Sequence, residues 1–157
     1  IVNPAVIIGK NAGYNGSGAI FKLVKEGLKF YTDGATGIVD VEDVAKCMIL
    51  LMESNITAER YTLSADNLHY KDFFAQIAKG FGIKAPTKEA IRWMHGIAWR
   101  ASKLASVFTG KPATLTKDAA RSSFNLSYYS NQKIINTFNF KFKPLNQSIA
   151  DVCNALK

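Results

Sequence analysis

The chain has 157 residues, 48% of them apolar, with twenty Lys and Arg against twelve Asp and Glu for a net charge of +8. That length is about one domain, and so apolar a composition supplies a core, which excludes global disorder. No apolar run approaches the ~20 residues of a membrane-spanning helix, no secretory signal opens the chain, and the lysines are scattered without a basic run, which disfavours a nucleic-acid partner.

In chain order, Ile1, Val2, Val6, Ile7 and Ile8 read as a buried strand ending at Gly9. A loop with Gly13, Gly16 and Gly18 follows, and Ser17 is the expected cap of a helix to about Glu26 that stops at Gly27. An apolar run, a glycine loop and a helix start are the pattern of a parallel strand feeding a crossover helix. Leu28 to Tyr31 reads as extended and Asp33-Gly34 as a turn. Asp40 is the expected N-cap of a helix over 41–54, with Glu42 and Asp43 in its first turn and Val41, Val44, Ala45, Met48, Leu51 and Met52 on its inner face. Tyr61 to Leu63 forms a second short strand, and Tyr70, Phe73, Phe74, Ile77, Ala78 and Phe81 keep helical spacing up to Gly82. The spacing from Lys88 to Phe108 predicts the longest helix, and Thr116 to about Ser122 a short one. Ser130 is the expected cap of another, with Ile134, Ile135 and Phe138 inward. Pro144 opens the last, lined by Leu145, Ile149, Val152, Cys153 and Leu156.

Few residues announce chemistry. Cys47 and Cys153 form no Cys-x-x-Cys pair and only two histidines exist, so a metal site is not expected. Both thiols read as buried hydrophobes of a reducing, cytoplasmic setting. His69 and His95 lack triad partners. Asp40, Glu42 and Asp43 are explained by capping without catalysis. Gly13, Gly16 and Gly18 run opposite to the G-x-G-x-x-G order of a dinucleotide loop, so they point to substrate contact or to loop flexibility. The helix after them offers N–H groups to an anion. The chain begins at Ile1, without Met and inside a strand, which suggests a piece of a longer polypeptide.

NPAVIIG, the glycine loop and helix, GIVDVEDVAKCMILLMES and ERYTLSADNLHYKDFFAQIAKGFG, in that order, resemble the C-terminal half of an extended short-chain dehydrogenase/reductase of the NAD-dependent epimerase/dehydratase type. GKPATLTKDAARSS, YYSNQKI and FNFKFKPLNQSIADVC are similar to its dihydroflavonol reductase and 3β-hydroxysteroid dehydrogenase-like branch. The resemblance implies an α/β fold: the C-terminal part of a doubly wound Rossmann-type domain over 1–66, and a mostly helical substrate-binding lobe over 67–157, in one compact unit. It implies that Asn3, Pro4, Ala5 and Val6 line the pocket of NAD or NADP, and that Asn11, Gly13, Tyr14, Asn15, Ser17 and Arg121 bind a carbonyl/alcohol or nucleotide-sugar substrate. Tyr128 and Tyr129 fall in the same substrate region. The family's Gly-rich pyrophosphate loop and Tyr-x-x-x-Lys pair are not in this sequence, so no catalytic residue is assigned and the chain alone is expected to be inactive. The alternatives are a non-catalytic binding module, self-associating as a homodimer through an open sheet edge, and, further off, a basic nucleic-acid binder.

Overall fold

A computed structural model describes residues 1–90 and 121–157. The first strand is split. Val2–Pro4 (β1) runs parallel to Tyr61–Leu63 (β5), while Val6–Ile8 (β2) runs parallel to Ala35–Asp40 (β4). The break falls at Ala5, whose N–H still bonds the Leu63 carbonyl at 2.9 Å. Asp66–His69 (β6) pairs antiparallel with β4 on its other side, and Phe30–Tyr31 (β3) pairs parallel with Lys88–Glu89 (β7).

Strand β4 shows why the fold is layered. Successive side chains on a strand face opposite ways. Ile38 joins Ile8, Phe21, Val24, Phe73, Ile77, Ile149 and Val152 in one core, while Val39 joins Val44, Cys47, Tyr61, Leu63 and Ile134 in another. The first core holds Gly18–Lys25 (α1), Tyr70–Phe81 (α3) and Leu145–Ala155 (α5). The second holds Val41–Glu53 (α2) and Gln132–Phe138 (α4). Parallel strands with helices on both faces are the doubly wound arrangement.

Most expected elements are present. Asp40 caps α2 by accepting from the Glu42 N–H at 2.9 Å. Gly82 ends α3 at φ +70, where a side chain would be strained. Several expectations need correction. Ser17 makes no cap bond; its backbone is already helical and its hydroxyl donates to the Ile7 carbonyl, tying loop to strand. The inner face of α2 is Asp43, Val44 and Cys47, while Val41, Met48, Ile49 and Met52 are exposed, Met52 by 81%. Asp43 displaces the expected stripe because it accepts the Lys143 N–H at 2.7 Å. Asn131, not Ser130, occupies the α4 cap position, and its amide is spent on the Ser64 carbonyl. Lys88 and Glu89 do not open a helix, because their backbone is taken by the ladder with β3. The remainder of that expected helix, His95 and the helix expected from Thr116 lie outside the described residues, apart from a helical end at Arg121 and Ser122.

Both cysteines are buried and free, and burial pushes each thiol up to about 11. Thiolate is the reactive form. A neutral-pH titration with a thiol reagent is therefore expected to show almost no reaction in the native protein and both thiols after denaturation. Rapid native labelling would contradict the burial. Among the described residues, no helix is long and apolar enough to cross a membrane.

Candidate functional site

In a doubly wound sheet, ligands bind beyond the carboxyl ends of the parallel strands. Here those ends converge at Ala5, after β1, and Ser64, after β5. Between them passes Gly37 of β4. A Cβ on Gly37 would stand 2.5 Å from Ser64 Oγ, 2.7 Å from the Tyr129 ring and 2.9 Å from Ala5 Cβ. Only glycine leaves room on β4 for these three side chains.

A strap packs along one side of this crevice region, against β4. Ala35 donates to the Asn125 carbonyl at 3.0 Å and accepts from the Ser127 N–H at 2.9 Å, so residues 125–127 run along β4. Asn67 then imitates a strand neighbour. Its amide nitrogen donates to the Tyr129 carbonyl at 3.0 Å, and its oxygen accepts the Tyr129 N–H at 2.8 Å. Asn131 Nδ2 donates to the Ser64 carbonyl at 2.7 Å. These bonds fix the backbone on either side of Tyr128 and Tyr129, which stay exposed by 60% and 38%. The Tyr128 hydroxyl lies 3.3 Å from His69 Nε2. Beneath, burial and then the neighbouring Tyr129 push the Tyr70 phenol above its ordinary value, although a hydrogen bond with Thr36 opposes them. The arrangement presents two exposed aromatic rings on a backbone held by hydrogen bonds.

The structure divides the sequence-derived candidates into two groups. Asn3 and Pro4 are exposed on β1, and Ala5 and Val6 are half-buried beside the crevice. The bonds from Tyr61 N–H to the Ile1 carbonyl and from Ala5 N–H to Leu63 spend the odd-numbered backbone groups on β5. Strand alternation leaves the carbonyls of Val2 and Pro4 on the outer edge. The loop residues Asn11, Gly13, Tyr14, Asn15 and Ser17 lie past the end of β2. Tyr14 Oη donates to the Leu156 carbonyl at 3.1 Å and accepts from Lys25 Nζ. The anion expectation for α1 is corrected too. The N–H groups of Gly18, Ala19 and Ile20 bond the carbonyls of Asn15, Gly16 and Ser17, so the helix start is spent on its own loop. Arg121 is exposed at the start of the strap. Sequence reading missed Gly37, Ser64 and Asn67. Only the two asparagines flanking Tyr128–Tyr129 in space distinguish them, and nothing local marks that pairing.

Among the described residues, no group of three His, Cys, Asp or Glu side chains could hold a metal ion. A dinucleotide fits in part. The exposed Asn3 side chain and the outward Val2 and Pro4 carbonyls offer hydrogen bonds to an amide, whereas no free helix start is present at α1 to hold phosphates.

The fold is the C-terminal part of a doubly wound, Rossmann-type domain with a helical lobe. No family model matches the sequence, and no curated protein does. Solved structures do. The structure of gox2253 aligns with a TM-score of 0.73 at 22% identity, over 99% of this chain and 48% of that one. A nucleoside-diphosphate-sugar epimerase from Pseudomonas aeruginosa aligns with 0.71 at 20% identity, over 99% and 46%. The UDP-glucose 4-epimerase of Thermus thermophilus, in complex with NAD, aligns with 0.63 at 14%, over 99% and 45%. The chain spans about half the length of the solved chains it matches.

Proposed function

We propose that residues 1–157 are the substrate-binding portion of an NAD(P)-dependent epimerase/dehydratase or carbonyl reductase, with residues 1–66 completing the dinucleotide sheet and residues 67–157 holding the substrate. The observation that supports this reading is the convergence of Ala5 and Ser64, at the carboxyl ends of β1 and β5, on Gly37 and Tyr129, in a fold shared with nucleotide-sugar epimerases. The nicotinamide cofactor supplies or accepts the hydride when bound. This chain's residues supply part of the binding: Asn3 and the Pro4 carbonyl meet the carboxamide end, while Tyr128, Tyr129 and Arg121 face a carbonyl/alcohol or nucleotide-sugar substrate. The general acid/base and the phosphate loop that such an enzyme needs are not among these residues.

The test separates the two ends of the cofactor. In an amide NMR titration, nicotinamide mononucleotide is expected to shift Asn3, Val6, Gly37 and Tyr129, whereas adenosine monophosphate leaves them still. Shifts confined to residues 10–18, or none at all, overturn the reading. Turnover of a simple ketone with NADPH by this chain alone would overturn the assignment of the missing chemistry.

The homodimer reading has its own observation. The outer edge of β1 has no strand partner among the described residues, and Ile1, Met48, Met52 and Ile56 around a 260 Å3 hollow leave apolar surface beside it. Unpaired edges and apolar patches are surfaces that proteins cover. Light scattering is expected to show self-association that Met52→Lys weakens. A wild-type monomer at all concentrations removes this reading.

A further inference from the structure

A second hollow lies at the amino-terminal ends of β3 and β7, and its lining shares no residue with the Ala5–Gly37–Ser64 region. Lys25, Glu26, Leu28, Lys29, Ile83, Lys84, Ala85, Pro86 and Lys88 contribute to a groove of about 590 Å3. That volume lies in the range of small-molecule sites. Its floor is apolar: Pro86 is buried, and Leu28 and Ala85 are half-buried. Its wall is cationic. The Lys88 N–H bonds the Lys29 carbonyl at 3.3 Å, which puts those two residues side by side on the paired strands.

Helix geometry accounts for only one of these lysines. Cations favour helix carboxyl ends, and the effect fades beyond the last turn. Lys25 belongs to the last turn of α1 and donates to the Leu156 carbonyl and the Tyr14 hydroxyl. Lys29, Lys84 and Lys88 lie past the helix ends, on extended segments, and none has a carboxylate partner among the described residues. The one acid on the wall, Glu26, is engaged by Lys22 at 3.8 Å. Three ammonium groups around one groove repel each other, and a bound polyanion removes that repulsion. Lysine is a point-charge partner for phosphate.

We propose that this groove binds a small organic polyanion, a compound with two phosphate groups and an apolar portion, through Lys29, Lys84 and Lys88 over the Leu28–Pro86 floor. The site is separate from the crevice at Ala5 and Gly37.

Calorimetric titration of the chain with inorganic pyrophosphate and with adenosine diphosphate tests it. Both are expected to bind at low salt, the nucleotide more tightly because its ring covers the apolar floor. The triple substitution Lys29→Gln, Lys84→Gln, Lys88→Gln is expected to weaken both about tenfold or more and to flatten the salt dependence. All three side chains are exposed, so the thermal midpoint should hold. The crevice variant Tyr129→Ala should leave pyrophosphate binding unchanged. Absence of binding by the wild type, or equal binding by the triple variant, overturns the proposal.

Discussion

Replacing Lys143 with methionine is expected to cost the fold about 2–3 kcal/mol at neutral pH, because it strands the buried Asp40 carboxylate without its cation. Lys143 Nζ lies 3.2 Å from Asp40 Oδ2 and 2.6 Å from Asp151 Oδ2. The Asp40 side chain is 5% exposed, whereas Asp151 is 41% exposed and can turn to water. Burial pushes the Asp40 carboxyl up, but the Glu42 N–H and the Lys143 ammonium outweigh it and hold it below its ordinary value. The hydrogen bond to Asp151, opposed by burial and helped by Asp40, holds the Lys143 amine above its ordinary value.

The signs fix a pH profile. A depressed carboxyl contributes fully above its unfolded value, near ~4, and loses its contribution as pH falls through the folded value. A raised amine contributes fully below ~10.4 and loses its contribution as pH rises through the folded value. The gap between wild type and Lys143→Met in urea midpoints should therefore be widest across neutral pH and narrow at both extremes. A gap independent of pH would show that only the packing of the Lys143 stem matters.

Gly34→Val is expected to destabilise the protein by about 3 kcal/mol and to loosen the strap that carries Tyr128 and Tyr129. A Cβ at Gly34 would run into the carbonyl oxygen of Ser123 and stand 2.9 Å from that of Asn125. Both obstacles are backbone, so no rotamer relieves the clash. The strap must lift, which breaks the two bonds that Ala35 makes to Asn125 and Ser127. Limited proteolysis should then cut within residues 121–130 of the variant much faster than in the wild type. An unchanged cleavage pattern would show that the strap is held elsewhere.

How much of this was legible in the sequence follows from what each element depends on. α3 and α5 have regular apolar spacing and clear ends, and the structure places their buried residues where that spacing does. β4 and β6 do not announce themselves. Ala35, Thr36 and Gly37 are small residues, and Asp66-Asn67-Leu68-His69 has no β-branched side chain. Pairing across the sheet makes them strands. The wheel of apolar residues misorients α2, since it does not show that Asp43 is drawn inward by a residue a hundred positions later. The same limit applies to the crevice. Asn3 to Val6 could be chosen from NPAVIIG, but Gly37, Ser64 and Asn67 matter only through what the fold sets beside them.

The divided first strand also bears on the order of folding. Val2–Pro4 pairs with Tyr61–Leu63, 59 positions away, and β1 gains nothing until β5 is in place. Parallel pairings between distant segments close late, because the loop entropy must be met before the contacts form. Residues 2–4 should therefore join the sheet after α2 and β5 have docked, whereas residues 6–8 need only β4. In pulse-labelled hydrogen exchange during refolding, Val6 to Ile8 should gain protection before Asn3, giving one continuous stretch of chain two separate folding times.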